Sequence, residues 1–247
     1  MSYAAKGKPF DPNKPFAWSY SKIKNFETCP KRHFHVDLVG DWREKESEQL
    51  RAGNELHDAM ARAIGNIGGK QPDGRDAQPL PEHLSAYQPL VDGHRKSRET
   101  GAVVATEMKL AINARFEPVA WMAKDAWFRA IADVLVLYGP VALADDWKTG
   151  KVVDDSPQLQ MGALAIMAHY PQVQRVANRF QWLKESSVSQ EIITPADKPR
   201  IWAMLQPRVE RLRVAYTTPD PGKGFPPQPG PLCRRYCPVK TCPYHGQ

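Results

Sequence analysis

Asp133 and Asp146 each sit in a run of alternating apolar residues, IADVLVLY and VALADDWK, and only Gly139-Pro140 separates the two runs. A Gly-Pro pair between alternating segments predicts a turn, so the runs are neighbouring strands whose carboxylates converge at one sheet edge. Two hard oxygen donors there suit Mg²⁺ or Mn²⁺. Lys148 follows Asp146 by two residues, which in a strand places both side chains on one face. An ion held by Asp133 and Asp146 would polarise a phosphodiester and acidify water, while Lys148 would stabilise the developing charge or orient that water. Asp145 competes with its neighbour for this role; Asp146 is preferred because it alone gives the Asp-x-Lys spacing. Glu107, in VVATEMKLAI, either adds a carboxylate to the site or faces solvent.

The second constellation is sulfur. Of four cysteines, Cys29 stands alone near the N-terminus, and Cys233, Cys237 and Cys242 cluster near the C-terminus. Nothing points to secretion, so a shared metal site is expected over disulfides. Four thiolates suit a [4Fe–4S] cluster or a structural Zn²⁺, with His245 as a substitute ligand in the zinc case, and spacing does not separate the two. Cys29 and Cys233 lie 204 residues apart, and pinning so long a loop removes unfolded-chain entropy of about 4–5 kcal/mol.

The elements that must position these groups are legible in the pattern. WSYSKIKNFETCPKRHFHVDL reads as two short helices broken near Cys29-Pro30, with a Ser as cap. A long amphipathic helix over 47–64 carries His57 in its middle. A Gly- and Pro-rich loop follows, then helical periodicity over 82–98. Strands are expected at 103–112, 127–139, 141–151 and 173–185, and 190–194 can add one. An apolar helix over 157–170 packs on the sheet, and 195–216 is helical with proline interruptions. The tail TTPDPGKGFPPQPGP is expected to be extended and not helical. The fold class is therefore α/β, a central mixed and largely antiparallel sheet flanked by helices, with the N- and C-terminal segments joined by the cysteines. At 247 residues one domain is the better prior. No apolar run spans a membrane and no secretory leader is seen, so a cytoplasmic protein is expected. The net charge of +7 makes a polyanionic partner plausible.

Taken in order, SYSKIKNFETCPKRHF, GNELHDAM, FRAIADVLV, DDWKTGK, QLQMGALAI and the cysteine tail resemble the PD-(D/E)XK nuclease superfamily over nearly the whole chain. Within it the sequence resembles the RecB-like branch with a four-cysteine cluster, which includes phage recombination exonucleases and CRISPR-adaptation nucleases. The resemblance implies a restriction-endonuclease-like core. It makes His57, Asp133 and Asp146 metal ligands, with the backbone carbonyl of Trp147 another, Lys148 the catalytic lysine, and Gln158 a group beside the active site. It also favours [4Fe–4S] over zinc at Cys29, Cys233, Cys237 and Cys242. One departure is Gly162, where the branch commonly has an aromatic residue.

The implied organisation is a flexible arm over 1–16 and one nuclease domain over 17–247, with a helical part at 17–100, a catalytic sheet core at 101–194, and a C-terminal helix and cysteine tail at 195–247. The implied activity is a Mg²⁺- or Mn²⁺-dependent DNA exonuclease acting on single strands or ends. In a host cell it would work in the cytoplasm, and a recombination or helicase partner would supply unwinding, since no Walker-type loop is present. Lys22, Lys24, Lys31 and Arg32, beside His33, are expected to join Arg234, Arg235 and Lys240 in one basic patch around the cysteines. Such a patch could feed DNA to the site, with Trp18, Tyr20, Phe34 and Tyr236 available for stacking. The rival readings are a non-catalytic nucleic-acid-binding adaptor that keeps the fold, which the intact Asp-x-Lys pair argues against, and a zinc-stapled RNA-binding protein.

Overall fold

The structure is a computed structural model that describes residues 3–4, 6–43, 46–153 and 156–247. The chain divides into two compact units, Glu48–Trp202 and the two ends Met1–Ser47 with Ala203–Gln247.

The first unit is a six-stranded sheet flanked by helices. Its strands are β3 (Val103–Ile112), β4 (Pro118–Val119), β5 (Phe128–Tyr138), β6 (Val141–Lys148), β7 (Arg175–Trp182) and β8 (Ser187–Ile193), in spatial order β4-β3-β5-β6-β7-β8; β1 and β2 belong to the other unit. Only β6 and β7 are parallel, so the sheet is mixed and largely antiparallel as expected. β5 and β6 meet in the two-residue Gly139-Pro140 hairpin, where Gly139 takes φ +53°; a positive φ at the first loop position matches the right-handed twist of the strands.

Helix α3 (Glu48–Ile64) buries Leu56, Met60, Ala63 and Ile64 against Val104, Val134, Val136 and Trp147. It stops at Gly65, φ +78°, and its orphaned terminal carbonyls are taken by helix α4 (Gln88–Glu99): Arg95 donates to Ala63 and Arg98 to Ile64. A single 3₁₀ stretch, Glu82–Tyr87, precedes α4 inside the predicted helix. The crossover helix α5 (Ser156–His169) is apolar on nearly every side, and the buried Leu159 packs with Phe180 and Trp182.

The second unit holds strands β1 (Tyr3–Ala4) and β2 (Trp42–Arg43), helices α1 (Tyr20–Thr28) and α2 (Pro30–His33), most of α6 (Lys198–Thr217), then α7 (Pro221–Gly224) and α8 (Pro231–Arg235). Ser19 caps α1 by accepting from the Lys22 N–H, and the break at Cys29-Pro30 falls where the sequence puts it. Within the stretch 1–16, Tyr3–Ala4 pair with Trp42–Arg43, and Lys8 N–H donates to the Val39 carbonyl. Two expectations are corrected. α6 runs unbroken through Pro207, which removes one backbone donor without ending the helix. The tail does contain helix, because Asp220 caps Pro221–Gly224 and Pro231 starts α8.

The two ends of the chain close on one buried ring. Phe225, 2% exposed, has the rings of Phe10, Phe26, Phe34, His33 and Tyr216 within 5.0–6.5 Å between centroids. Arg208 of α6 adds a bidentate pair to Glu27 of α1, at 2.8 and 2.7 Å. No helix among the described residues is long and apolar enough to cross a membrane.

Candidate active site

Strands β5 and β6 stay paired as far as Val134 and Asp145. Asp133 lies just past that point, and its Oδ2 accepts the Trp147 N–H at 2.8 Å. His57, from the middle of α3, sets Nδ1 3.3 Å from the same carboxylate. On the other side of β5, Glu107 occupies the β3 position between Thr106, paired with Val134, and Met108, paired with Ala132. Glu107 holds φ +50°, a left-handed conformation costly for a residue with a Cβ. It offers a carboxylate oxygen that lies, with the donor atoms of His57 and Asp133, in a group all within 4.8 Å of one another.

Asp146 and Lys148 complete the arrangement. Lys148 Nζ is 2.8 Å from Asp146 Oδ1 and 3.2 Å from Gln158 Oε1, and it lies 4.7 Å above the Phe180 ring. Gln158, in the first turn of α5, donates through Nε2 to Asp146 Oδ2 at 2.5 Å. One amide thus bridges the acid and the lysine and fixes both rotamers.

The electrostatics show a surplus of negative charge. Burial and the Asp133 charge push the Asp146 carboxyl up to about 6, against the pull of Lys148. Burial and Asp133 likewise raise Glu107. Burial lowers the His57 imidazole, but its hydrogen bond to Asp133 and the charges of Asp133, Asp146 and Glu107 outweigh that and raise it. Three carboxylates in one half-buried place repel each other, so the free energy favours a cation among them. An ion with ligands near 2.1 Å spans donors up to about 4.2 Å apart, and His57 with Asp133 fits that span. The donor set therefore suits a divalent ion.

Asp145 points elsewhere. Its side chain is fully buried, accepts two hydrogen bonds from Arg179 at 2.6 and 2.7 Å, and lies 3.1 Å from His94 Nε2. Burial would raise its carboxyl, but His94 and Arg179 hold it below the ordinary range. His94 in turn meets the Trp147 ring edge-on at 5.7 Å.

In the other unit the four cysteines are half-buried and form no disulfide. Burial raises the Cys237 thiol, helped by the neighbouring Cys29 and Cys233, while the Val239 backbone and Arg32 pull it down. Among the described residues no three sulfurs lie within 4.8 Å of one another.

Of the residues expected to stack on bases, Trp18 and Tyr20 are buried, 1% and 8% exposed, and Phe34 belongs to the Phe225 cluster; Tyr236 is exposed. His33 is fully buried between Asp37 and Tyr216 and is not a surface cation. Lys22 donates to the Ala17 carbonyl and Lys24 lies over the Tyr20 ring, while Lys31 and Arg32 stand on α2 and Arg234 and Arg235 on α8.

The sequence matches the profile of the PD-(D/E)XK nuclease superfamily over residues 17–243. No curated protein matches it. Among solved structures, a candidate exonuclease from Eubacterium rectale is similar at a TM-score of 0.44 and 14% sequence identity, covering 84% of this chain and 85% of that one.

Proposed function

Because this chain belongs to the PD-(D/E)XK nuclease superfamily, we propose that it is a Mg²⁺- or Mn²⁺-dependent deoxyribonuclease that trims single strands or DNA ends as an exonuclease. The observation that carries the reading is the Asp146–Gln158–Lys148 bridge set beside the His57, Glu107 and Asp133 donors. His57, Glu107, Asp133 and Asp146 would hold the ion, joined by the Trp147 carbonyl. When bound, the ion supplies Lewis acidity toward the scissile phosphate and acidifies water. Lys148 holds its ammonium where negative charge develops on the phosphate, and Gln158 keeps it there. Trp147 N–H fixes the Asp133 carboxylate toward the site. The imidazole donor favours Mn²⁺ over Mg²⁺ in affinity, since nitrogen ligands suit the later metal better.

The test follows end-labelled single- and double-stranded DNA with Mn²⁺, Mg²⁺ or chelator. Cleavage should need the ion and should proceed from ends. Mn²⁺ should also raise the melting temperature, and Asp133→Asn should abolish that shift. Cleavage that persists in chelator, or an Asp133→Asn protein that still gains stability from Mn²⁺, would sink the metal mechanism.

The cysteines extend the reading to a [4Fe–4S] cluster of the kind found in the RecB-like branch. Its support is the soft donor set and the spacing of one upstream cysteine, Cys29, against Cys233, Cys237 and Cys242 in the tail. Anaerobic purification should give a brown protein with four iron atoms per chain, roughly, as that cluster type requires. A colourless protein holding zinc would overturn it.

A further inference from the structure

β3 and β5 do not end at the site; they run on past it as a hairpin. Lys109 pairs with Ile131 and Ala111 with Arg129, so these residues follow Glu107 in successive cross-strand rows. At the strand rise, Lys109 lies about 6.7 Å and Arg129 about 13 Å along the hairpin from Glu107. Those intervals approximate one and two steps of an extended nucleic-acid strand. Lys109 is near enough for its charge to act on the Glu107 carboxyl.

The loop after β4 lays Trp121 against this row. Lys109 Nζ is 5.7 Å from the Trp121 ring centre and Arg129 Cζ 5.8 Å, and Arg129 Nε donates to the Trp121 carbonyl at 2.8 Å. Phe116 and Trp127, which flank β4 and this loop in the sequence, meet each other and Trp202 edge-on, with ring centres 5.2–5.8 Å apart. Lys109 is exposed, Trp121 and Arg129 are half-exposed, and Ile131 is 45% exposed. One exposed and one half-exposed cation and a half-exposed indole therefore stand beside the Glu107 carboxylate. Both cations face an aromatic ring, which leaves their charge available to an anion in a way a carboxylate partner would not.

We propose that Lys109, Trp121 and Arg129 form a shelf that holds the substrate strand next to the scissile phosphate. Lys109 and Arg129 each meet a backbone phosphate, and the Trp121 indole stacks on a base. The proposal rests on the nuclease reading and narrows it: an indole can stack only on a base that is unpaired, so the shelf selects single strands or frayed ends over intact duplex.

The experiment measures binding of a fluorescein-labelled thymidine oligonucleotide in chelator, across a range of salt. Trp121→Ala should weaken binding about tenfold, and Trp121→Phe should recover most of the loss. Lys109→Gln should lower the slope of log affinity against log salt by about 0.7, the share of one single-strand phosphate. On blunt duplex, Trp121→Ala should have little effect. If Trp121→Ala does not fold, Lys109→Gln decides, since Lys109 makes no structural hydrogen bond among the described residues. Parental affinity and parental salt slope in both variants would overturn the shelf. If the parent still cleaves in a chelator-sensitive way, the nuclease reading survives that result. Loss of binding in the variants with no cleavage by the parent would instead keep the shelf and remove the nuclease reading.

Discussion

Lys148→Ala should slow DNA cleavage about 10²–10³-fold, the usual cost of removing one preorganised donor from a developing charge, while divalent-ion binding persists. The side chain is positioned for this role and for little else. Its ammonium is 2.8 Å from Asp146, is held by the Gln158 amide oxygen, and rests on the Phe180 ring. Removing it takes away one partially exposed cation, so the fold should lose little. Lys148→Arg should not restore the rate, because a planar guanidinium cannot occupy the point position of an ammonium between Asp146 and Gln158. The decisive measurement pairs single-turnover cleavage with the Mn²⁺-induced melting shift. A lost rate with a kept shift assigns Lys148 to the chemistry. A rate within a few-fold of the parent would remove it from the mechanism.

The positions of these groups were differently legible in the sequence. Alternation and the Gly139-Pro140 punctuation placed β3 and β5 almost to the residue and the start of β6, while β6 ends at Lys148, three residues before the expected 151. The Asp-x-Lys spacing made Asp146 the expected site residue over Asp145. Glu107 stayed ambiguous for a physical reason. Its approach to Asp133 depends on a left-handed backbone at one residue inside a strand, and no local signal encodes that conformation for a glutamate; the tertiary surroundings impose it. The Trp121 shelf was hidden too, since its loop has no periodicity and its meaning comes from the strand rows beside it. In the tail, proline content argued against helix, yet Asp220 as a cap with Pro221 at the first helical position makes a single turn of it. The aromatic closure on Phe225 joins residues far apart in sequence, and only packing reveals it.

Adjacent aspartates should respond in opposite ways to the same substitution. Asp145→Asn should destabilise the protein by about 3–5 kcal/mol, the cost of breaking a buried ion pair and leaving its cation unpaired. Arg179 would keep at most one of its two accepting oxygens and face an amide donor in place of the other, and His94 would lose its carboxylate, all against a side chain with no exposure. The sign with pH follows from the depressed carboxyl: its contribution is present above the unfolded value near 3.8 and is lost as pH falls through the lower folded value. Asp146→Asn should do the reverse. Its carboxyl is raised to about 6 by burial and by Asp133, so at neutral pH the ion-free protein carries an unfavourable charge that the amide removes. The melting temperature of ion-free Asp146→Asn should therefore be no lower than that of the parent, while cleavage is abolished because the carboxylate is gone. Thermal melting in chelator, set beside cleavage with Mn²⁺, reads both effects. An Asp145→Asn protein as stable as the parent would break the account of the buried pair, and an Asp146→Asn protein that melts well below it would break the account of the site.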